Sequence, residues 1–273
     1  MGSLLAQNGM QSDKNLWSSL ANITNPINVF DLHREYILAG AEIITTNTFR
    51  TNPNAVKNAS INVSQKEFVK AGVNIAIEAI ADKQIIIAGS NAPAEDCYQK
   101  ERTISISELE YNHKKHIELL WSFGCDVIWN ETQSHIDEIE IICEFCSYNK
   151  LPFILSLYFL ESLNLLDGNS LESAIQNIQA YNPVAIGFNC VKPGTFENFM
   201  EVNKLPRTWG AYFNCGAGNV TDENISCGID SKSYVHAIEP LLEVNPFFIG
   251  SCCGSMPSHT RALKEKINEV YRN

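Results

Sequence analysis

Seven short apolar runs punctuate this chain, each separated from the next by enough residues for one helix. They occupy residues 42–49, 84–90, 126–131, 152–159, 184–189, 208–214 and 246–250. Most are rich in isoleucine, valine or phenylalanine, the pattern of strands buried on both faces of a parallel sheet. Between them, apolar side chains recur at helical spacing. Val29, Leu32, Tyr36 and Ile37 share one helix face before a stop at Gly40, and Leu109, His113, His116 and Leu120 repeat the pattern before Gly124. Residues 135–148 and 257–271 read as further helices. Ser64 with Glu67 and Ser107 with Glu110 fit capping boxes, and Ser170, Thr195 and Ser258 fit N-caps. Alternation of this kind predicts an α/β chain with right-handed crossovers. We expect a (β/α)8 TIM barrel whose first strand is missing or truncated at the N-terminus, since the eighth strand would precede Met1. An open doubly wound sheet also accommodates seven strands. No long linker or low-complexity tract divides the chain, so one domain over residues 1–273 is expected.

Charge and targeting narrow the function. The formal net charge of −11 repels phosphate backbones, which argues against a nucleic-acid partner. There is no apolar run long enough to span a bilayer, and the opening residues lack the basic start and apolar stretch of a signal peptide. A cytoplasmic protein without a membrane partner is the expectation, and an oligomer is compatible with it. Nine cysteines, an odd number without a secretory signal, do not suggest a disulfide framework. No Gly-rich phosphate loop and no G-x-S-x-G elbow is present.

Three of the cysteines stand out by position. Cys190 ends the segment GFNC, and Cys252 and Cys253 lie together in GSCCGS, so each group closes a predicted strand. In a barrel both would reach the carboxyl-end face, where function sits. Three thiolates suit zinc, which binds sulfur at about 2.3 Å, and three protein ligands leave its fourth position open. A substrate thiol entering that position would ionise. Apolar packing of the thiols, or a vicinal disulfide, is the alternative. Cys143 and Cys146 fall in mid-helix, where core packing is expected rather than redox chemistry. Cys97, Cys125, Cys215 and Cys227 lack metal-like spacing, although Cys215 and Cys227 flank a loop that could cover the site. His113 and His116 on an outer helix should be solvated or half-buried, and His259 should cap the last helix.

GFNC at 187–190 and GSCCGSMPSH at 250–259 resemble the homocysteine S-methyltransferase family. AGAEIITTNTF, AGS, GCDVIWNET and GAYFNCG, in that order along the chain, add to the likeness, which covers nearly all of it. The resemblance implies a zinc-dependent (β/α)8 barrel that methylates homocysteine, or a related thiol or selenol, to give methionine or its analogue. It implies Cys190, Cys252 and Cys253 as the ligands of Zn2+. It also implies that Glu131 binds the amino group of homocysteine, a sensible pairing of carboxylate with ammonium. Thr46, Asn47 and Thr48 at one strand end are further candidates for substrate binding. Asn189 is a candidate partner beside the first ligand, and Asn214 a candidate pocket residue. The expected partners are small molecules: homocysteine and a sulfonium methyl donor, S-methylmethionine or S-adenosylmethionine. No folate- or cobalamin-binding module is evident. Three departures accompany the likeness. The family's opening strand, ending in Asp-Gly, has no counterpart here, Ser251 replaces a usual glycine, and Ser255 replaces a common threonine. A truncated member that binds zinc without turnover, as a binding or structural protein, is the second reading.

Overall fold

The computed structural model describes residues 1–217 and 225–271. Each predicted run overlaps a strand, and three strands run one or two residues past it: β1 Ile43–Thr45, β2 Ile86–Asn91, β3 Val127–Gln133, β4 Phe153–Leu157, β5 Ala185–Asn189, β6 Trp209–Phe213 and β7 Phe248–Ser251. The α-helices are α1 Gly2–Gln7, α2 Ala21–Thr24, α3 Pro26–Leu38, α4 Pro53–Lys57, α5 Gln65–Ile80, α6 Ile106–Ser122, α7 Ile136–Tyr148, α8 Leu171–Gln179, α9 Pro193–Val202, α10 Ser231–Leu242 and α11 Pro257–Tyr271. All strand pairs are parallel, and the order is β1-β2-β3-β4-β5-β6-β7. A doubly wound sheet reverses its strand order at a switch point. This sheet never does.

The sheet also curls. Trp129 of β3 meets Tyr212 of β6 and Phe248 of β7, with ring centroids 5.6 and 4.5 Å apart, although those strands are three and four places away. The fold is therefore that of a (β/α)8 barrel with seven strands among the described residues. Among the described residues, β1 and β7 each pair on one side alone. Beside that opening α3 and α11 approach each other. The Tyr36 hydroxyl donates to the Ser255 carbonyl at 3.3 Å, and Lys264 pairs with Glu42, which precedes β1, at 2.9 Å.

Two cores follow from the period of two along each strand. Ala88, Val127, Trp129, Ile154, Ala185 and Phe248 fill the barrel interior. Their neighbours, among them Ile87, Ile128, Leu155, Ile186 and Ala211, face outward under the helices and belong to the larger cluster. Burial of such a side chain contributes about 1.5–3 kcal/mol, so a one-residue slip of register would cost heavily. Phe248 crosses the interior above Gly210. A Cβ there would lie 2.5 Å from its ring, so the close approach requires glycine.

Several local signals resolve differently from expectation. The capping box of α6 is Ser105 with Glu108, not Ser107 with Glu110, because the chain is extended at Ser105 and already helical at Ser107. Thr195 and Ser258 lie inside their helices. Pro193 and Pro257 start α9 and α11, and proline's fixed φ at the first helical position prevails over the hydroxyl signal. Ser64 and Ser170 cap as expected. His259 does cap, its Nδ1 accepting the Met256 N–H at 3.1 Å. Cys143 and Cys146 pack in the outer core of α7.

His113 and His116 are fully buried rather than solvated. Asn91, at the end of β2, explains why. Its amide donates to His113 Nδ1 at 3.1 Å, and its Oδ1 accepts from His116 Nδ1 at 2.8 Å. His113 Nε2 then donates to Glu138 at 2.6 Å, and His116 Nε2 meets the Thr51 hydroxyl at 2.9 Å. Each ring nitrogen has a partner, so helix α6 can turn both rings inward. No described helix is long and apolar enough to cross a membrane.

Candidate active site

At the carboxyl ends of the strands the inward-facing row turns polar. Ser90 follows Ala88 along β2, Glu131 follows Trp129 along β3, Asn189 lies four residues beyond Ala185 on β5, and Tyr212 faces in from β6. The Ser90 hydroxyl donates to Glu131 Oε1 at 2.6 Å, and the Tyr212 hydroxyl donates to Oε2 at 3.1 Å. Burial raises the Glu131 carboxyl above the usual range, while these two hydrogen bonds and the nearby Met1 amino group pull it back.

Three sulfurs converge beside this carboxylate. Cys190 Sγ lies 2.8 Å from Cys252 Sγ, Cys252 Sγ lies 3.9 Å from Cys253 Sγ, and all three lie within 4.8 Å of one another. Backbone hydrogen bonds fix the loops that carry them. The Cys190 N–H donates to the Tyr212 carbonyl at 3.3 Å, the Cys252 N–H to the Phe213 carbonyl at 2.7 Å, and the Cys215 N–H to the Cys253 carbonyl at 2.8 Å. The N-terminal helix closes on the same loop, with the Gly254 N–H donating to Ser3 Oγ at 3.1 Å. Cys190 has a φ of 57° and Thr132 a φ of 60°, left-handed conformations that β-strand ends rarely carry outside glycine.

The donor set suits a soft metal ion. Sulfurs bound tetrahedrally at about 2.3 Å stand about 3.8 Å apart. Cys252 and Cys253 already have that separation, and Cys190 and Cys252 need to part by about 1 Å to reach it. Among the described residues no fourth ligand joins the three. Contacts from the Cys190 and Cys252 thiols pull Cys253 well below the ordinary thiol range, and contacts from the Cys190 and Cys253 thiols push Cys252 up. The cluster therefore shares its protons as a unit.

A family model described as homocysteine S-methyltransferase matches residues 1–267. The chain belongs to the homocysteine S-methyltransferase family. It is 21% identical to homocysteine S-methyltransferase 2 of Arabidopsis thaliana, over 96% of this chain and 89% of that one. It is 24% identical to the homocysteine S-methyltransferase of Escherichia coli (strain K12), over 97% and 93%. A selenocysteine Se-methyltransferase of Brassica oleracea var. italica is 21% identical over 96% and 86%. The fold is shared with the homocysteine methyltransferase MmuM of Escherichia coli. Its oxidized form superposes with a TM-score of 0.80 at 22% identity, covering 97% of this chain and 93% of that one. Its metallated form gives 0.76 at 23%, covering 96% and 92%.

The family member's other sequence-derived candidates fall into two groups. Asn189 touches the cluster, its Nδ2 donating to Cys190 Sγ at 3.3 Å and to Thr132 Oγ1 at 2.9 Å. Thr46 and Thr48 stand behind Ser90. Thr46 Oγ1 accepts the Ser90 N–H at 3.1 Å, and the Thr48 hydroxyl donates to the Ser90 carbonyl at 2.8 Å. Asn47 and Asn214 are engaged in scaffolding. Asn47 Nδ2 donates to the Ser18 carbonyl and to Asn22 Oδ1, and Asn214 Oδ1 accepts the Gly216 N–H at 3.0 Å. Cys215 and Cys227 flank residues 218–224, and the loop expected to cover the site lies outside the described residues.

Ser90, Thr132 and Tyr212 were not singled out by the sequence as partners of the site. The signal that could have found Tyr212 is the period of two. Gly210 and Tyr212 are the inward positions of β6, and a tyrosine facing a small barrel's interior needs a polar partner.

Proposed function

We propose that this chain transfers a methyl group from a sulfonium donor to the thiol of homocysteine, with Cys190, Cys252 and Cys253 as ligands of one zinc ion. The observation that carries the reading is the convergence of the three sulfurs at the strand ends that also present Glu131. The names of the relatives support the acceptor: homocysteine for several, and selenocysteine for one.

A zinc ion bound there supplies a Lewis-acidic position at which a thiol loses its proton near neutral pH. The chain's own residues do the rest. Glu131 accepts hydrogen bonds from the substrate's ammonium, with Ser90 and Tyr212 fixing the orientation of its carboxylate. Asn189 holds the Cys190 sulfur and ties it to the end of β3. Trp129, Tyr212 and Phe248 floor the site with aromatic rings and keep water from beneath it. In the reaction the homocysteine thiolate forms a bond to the methyl carbon. The bond from that carbon to the donor sulfur breaks, and its electron pair neutralises the sulfonium. The donor leaves as a thioether, and the thiol proton goes to solvent. A sulfonium carries its own leaving group, so the donor needs no further activation.

The test is a zinc determination on reduced protein together with an assay for methionine. S-methylmethionine, S-adenosylmethionine and betaine are each supplied with homocysteine. Methionine from a sulfonium donor, with one zinc per chain, is expected. No methionine from any donor on zinc-loaded protein would overturn the reading.

A further inference from the structure

The loop between β2 and α6 carries a tyrosine that the proposed mechanism does not use. Tyr98 packs edge-to-face on Tyr158, with ring centroids 5.1 Å apart at 78°. Tyr158 is the first residue beyond β4. It follows Ile154 and Ser156 at the period of two, and these belong to the barrel interior: Ile154 to the inner cluster, Ser156 by accepting from Trp129 Nε1 at 2.8 Å. β4 lies directly beside β5, with Leu157 opposite Phe188, so the register carried one step further sets Tyr158 level with Asn189, the residue before Cys190. Both tyrosines are only partly exposed. Burial raises the Tyr98 hydroxyl far above its usual value, and the thiols of Cys190, Cys97, Cys253 and Cys252 add to the rise. Tyr158 is raised by burial, then by Cys190 and Cys97. The aromatic pair therefore overlooks the thiol cluster.

The loop is held in place before any ligand arrives. The Ala94 N–H donates to Glu138 at 2.7 Å, Arg102 pairs with Asp137 at 2.6 Å, and His135 Nε2 donates to the Lys100 carbonyl at 2.9 Å. The Tyr98 N–H is tied to Asp96 Oδ1 at 2.9 Å. Tyr98 is pre-organised, which suits a binding surface better than a mobile cover.

The ionisable groups acting on the two hydroxyls are thiols, with the Glu131 carboxyl and the Met1 amino group deeper in the same site. The nearby guanidinium of Arg50 is turned to other duties, donating to the Asn15 and Glu95 carbonyls and stacking on Trp17 at 5.0 Å. A half-buried aromatic face attracts a cation through the negative face of its ring. We propose that Tyr98 and Tyr158 form the wall that binds the methyl donor by its positive charge, selecting an onium donor over a neutral one. This rests on the reading above and assigns two residues to its donor.

The experiment titrates zinc-loaded protein by calorimetry with S-methylmethionine and, as its uncharged thioether counterpart, methionine. Wild type should bind the sulfonium about ten-fold more tightly, the equivalent of about 1.4 kcal/mol. Tyr98→Leu and Tyr158→Leu should erase most of that preference, and Tyr98→Phe, which keeps the ring, should retain it. Thermal melts and zinc content identify any variant that fails to fold, and the other leucine variant then carries the test. Equal affinity of wild type for the two ligands, or a preference surviving in both leucine variants, overturns the proposal. Betaine, titrated alongside, tells a sulfonium site from one that takes any onium group; a tyrosine-dependent preference in either case supports the wall. Methionine formation by wild type is read separately. If methionine forms while the charge preference ignores the tyrosines, the function stands and this assignment falls. If the preference depends on the tyrosines while no methionine forms, the assignment stands and the function falls.

Discussion

Asn189 and Thr132 hold each other by two reciprocal hydrogen bonds: the Thr132 N–H donates to Asn189 Oδ1 at 3.0 Å, and Asn189 Nδ2 returns one to Thr132 Oγ1 at 2.9 Å. The pair spans from the end of β3 to the end of β5. Thr132 follows Glu131, and Cys190 follows Asn189, so one clasp sets the Glu131 carboxylate and the Cys190 sulfur against each other. Of the two left-handed residues of the site, Thr132 is part of the clasp and Cys190 adjoins it. Their strain is sustained because the clasp over-determines the geometry.

Asn189→Ala therefore should weaken metal binding without removing a ligand. Loss of such a supporting hydrogen bond typically costs about 10–100-fold in metal affinity. Competition with a chromophoric chelator measures it. Zinc affinity equal to that of wild type would show that the clasp is dispensable to the cluster.

Glu131→Gln keeps the shape and removes the charge. If Glu131 anchors the ammonium, the homocysteine KM should rise about 10–100-fold, the worth of a charge-assisted hydrogen bond of about 1.5–3 kcal/mol. Zinc content should stay unchanged. Because burial raises the carboxyl, the charged form is lost at a higher pH than for an ordinary glutamate as the solution is acidified. The wild-type KM for homocysteine should accordingly climb on acidification, and the variant's should not.

Stability should also depend on pH through two buried histidines. Burial pushes His116 down to about 3, and the neighbouring His113 acts in the same direction; burial, with the Met1 amino group, takes His33 to about 3. Unfolded, each takes up a proton near 6.5. Between these values the unfolded chain holds the extra protons, so acid favours unfolding. Stability from this source is complete above about pH 6.5 and declines toward pH 3, by up to about 1.4 kcal/mol per pH unit for each histidine. Urea midpoints at pH 7.5 and 5 should differ in that direction, and His116→Gln should flatten the difference. Equal midpoints would contradict the burial of His116 and His33 in their neutral forms.

The strands were legible because each is a short, nearly continuous apolar run, and burial on both faces leaves that mark whatever the topology. Strand order was not legible in the runs alone, because seven such runs satisfy both a curled and a doubly wound sheet; the family resemblance pointed to the barrel that the structure has. The contact of Trp129 with Phe248, distant in sequence, is what decides for the barrel. Cys190, Cys252 and Cys253 could be found because each group closes a strand, and strand ends of a barrel meet. The inward turn of His113 and His116 could not, because it depends on Asn91 from another element. Asn47 and Asn214 sit at strand ends as expected, yet their amides face loops, a choice of rotamer that spacing does not encode.

Gly210 links the barrel floor to the site above it. A Cβ at this position would lie 2.5 Å from the Phe248 ring, which itself rests 4.5 Å from Trp129. Neither ring has room to retreat, since both fill the same interior. Gly210→Ala should destabilise the protein by about 1–3 kcal/mol, the usual cost of overpacking. Two positions along β6 stands Tyr212, whose hydroxyl orients Glu131. The strain should therefore reach the site and raise the homocysteine KM as well as lower the melting temperature. Phe248→Leu alone leaves a cavity and destabilises in its own right. Combined with Gly210→Ala it frees the space that the new methyl group needs, so the double variant should be more stable than the sum of the two losses predicts. Strict additivity in thermal melts of the four proteins would mean that Gly210 and Phe248 do not compete for the same volume.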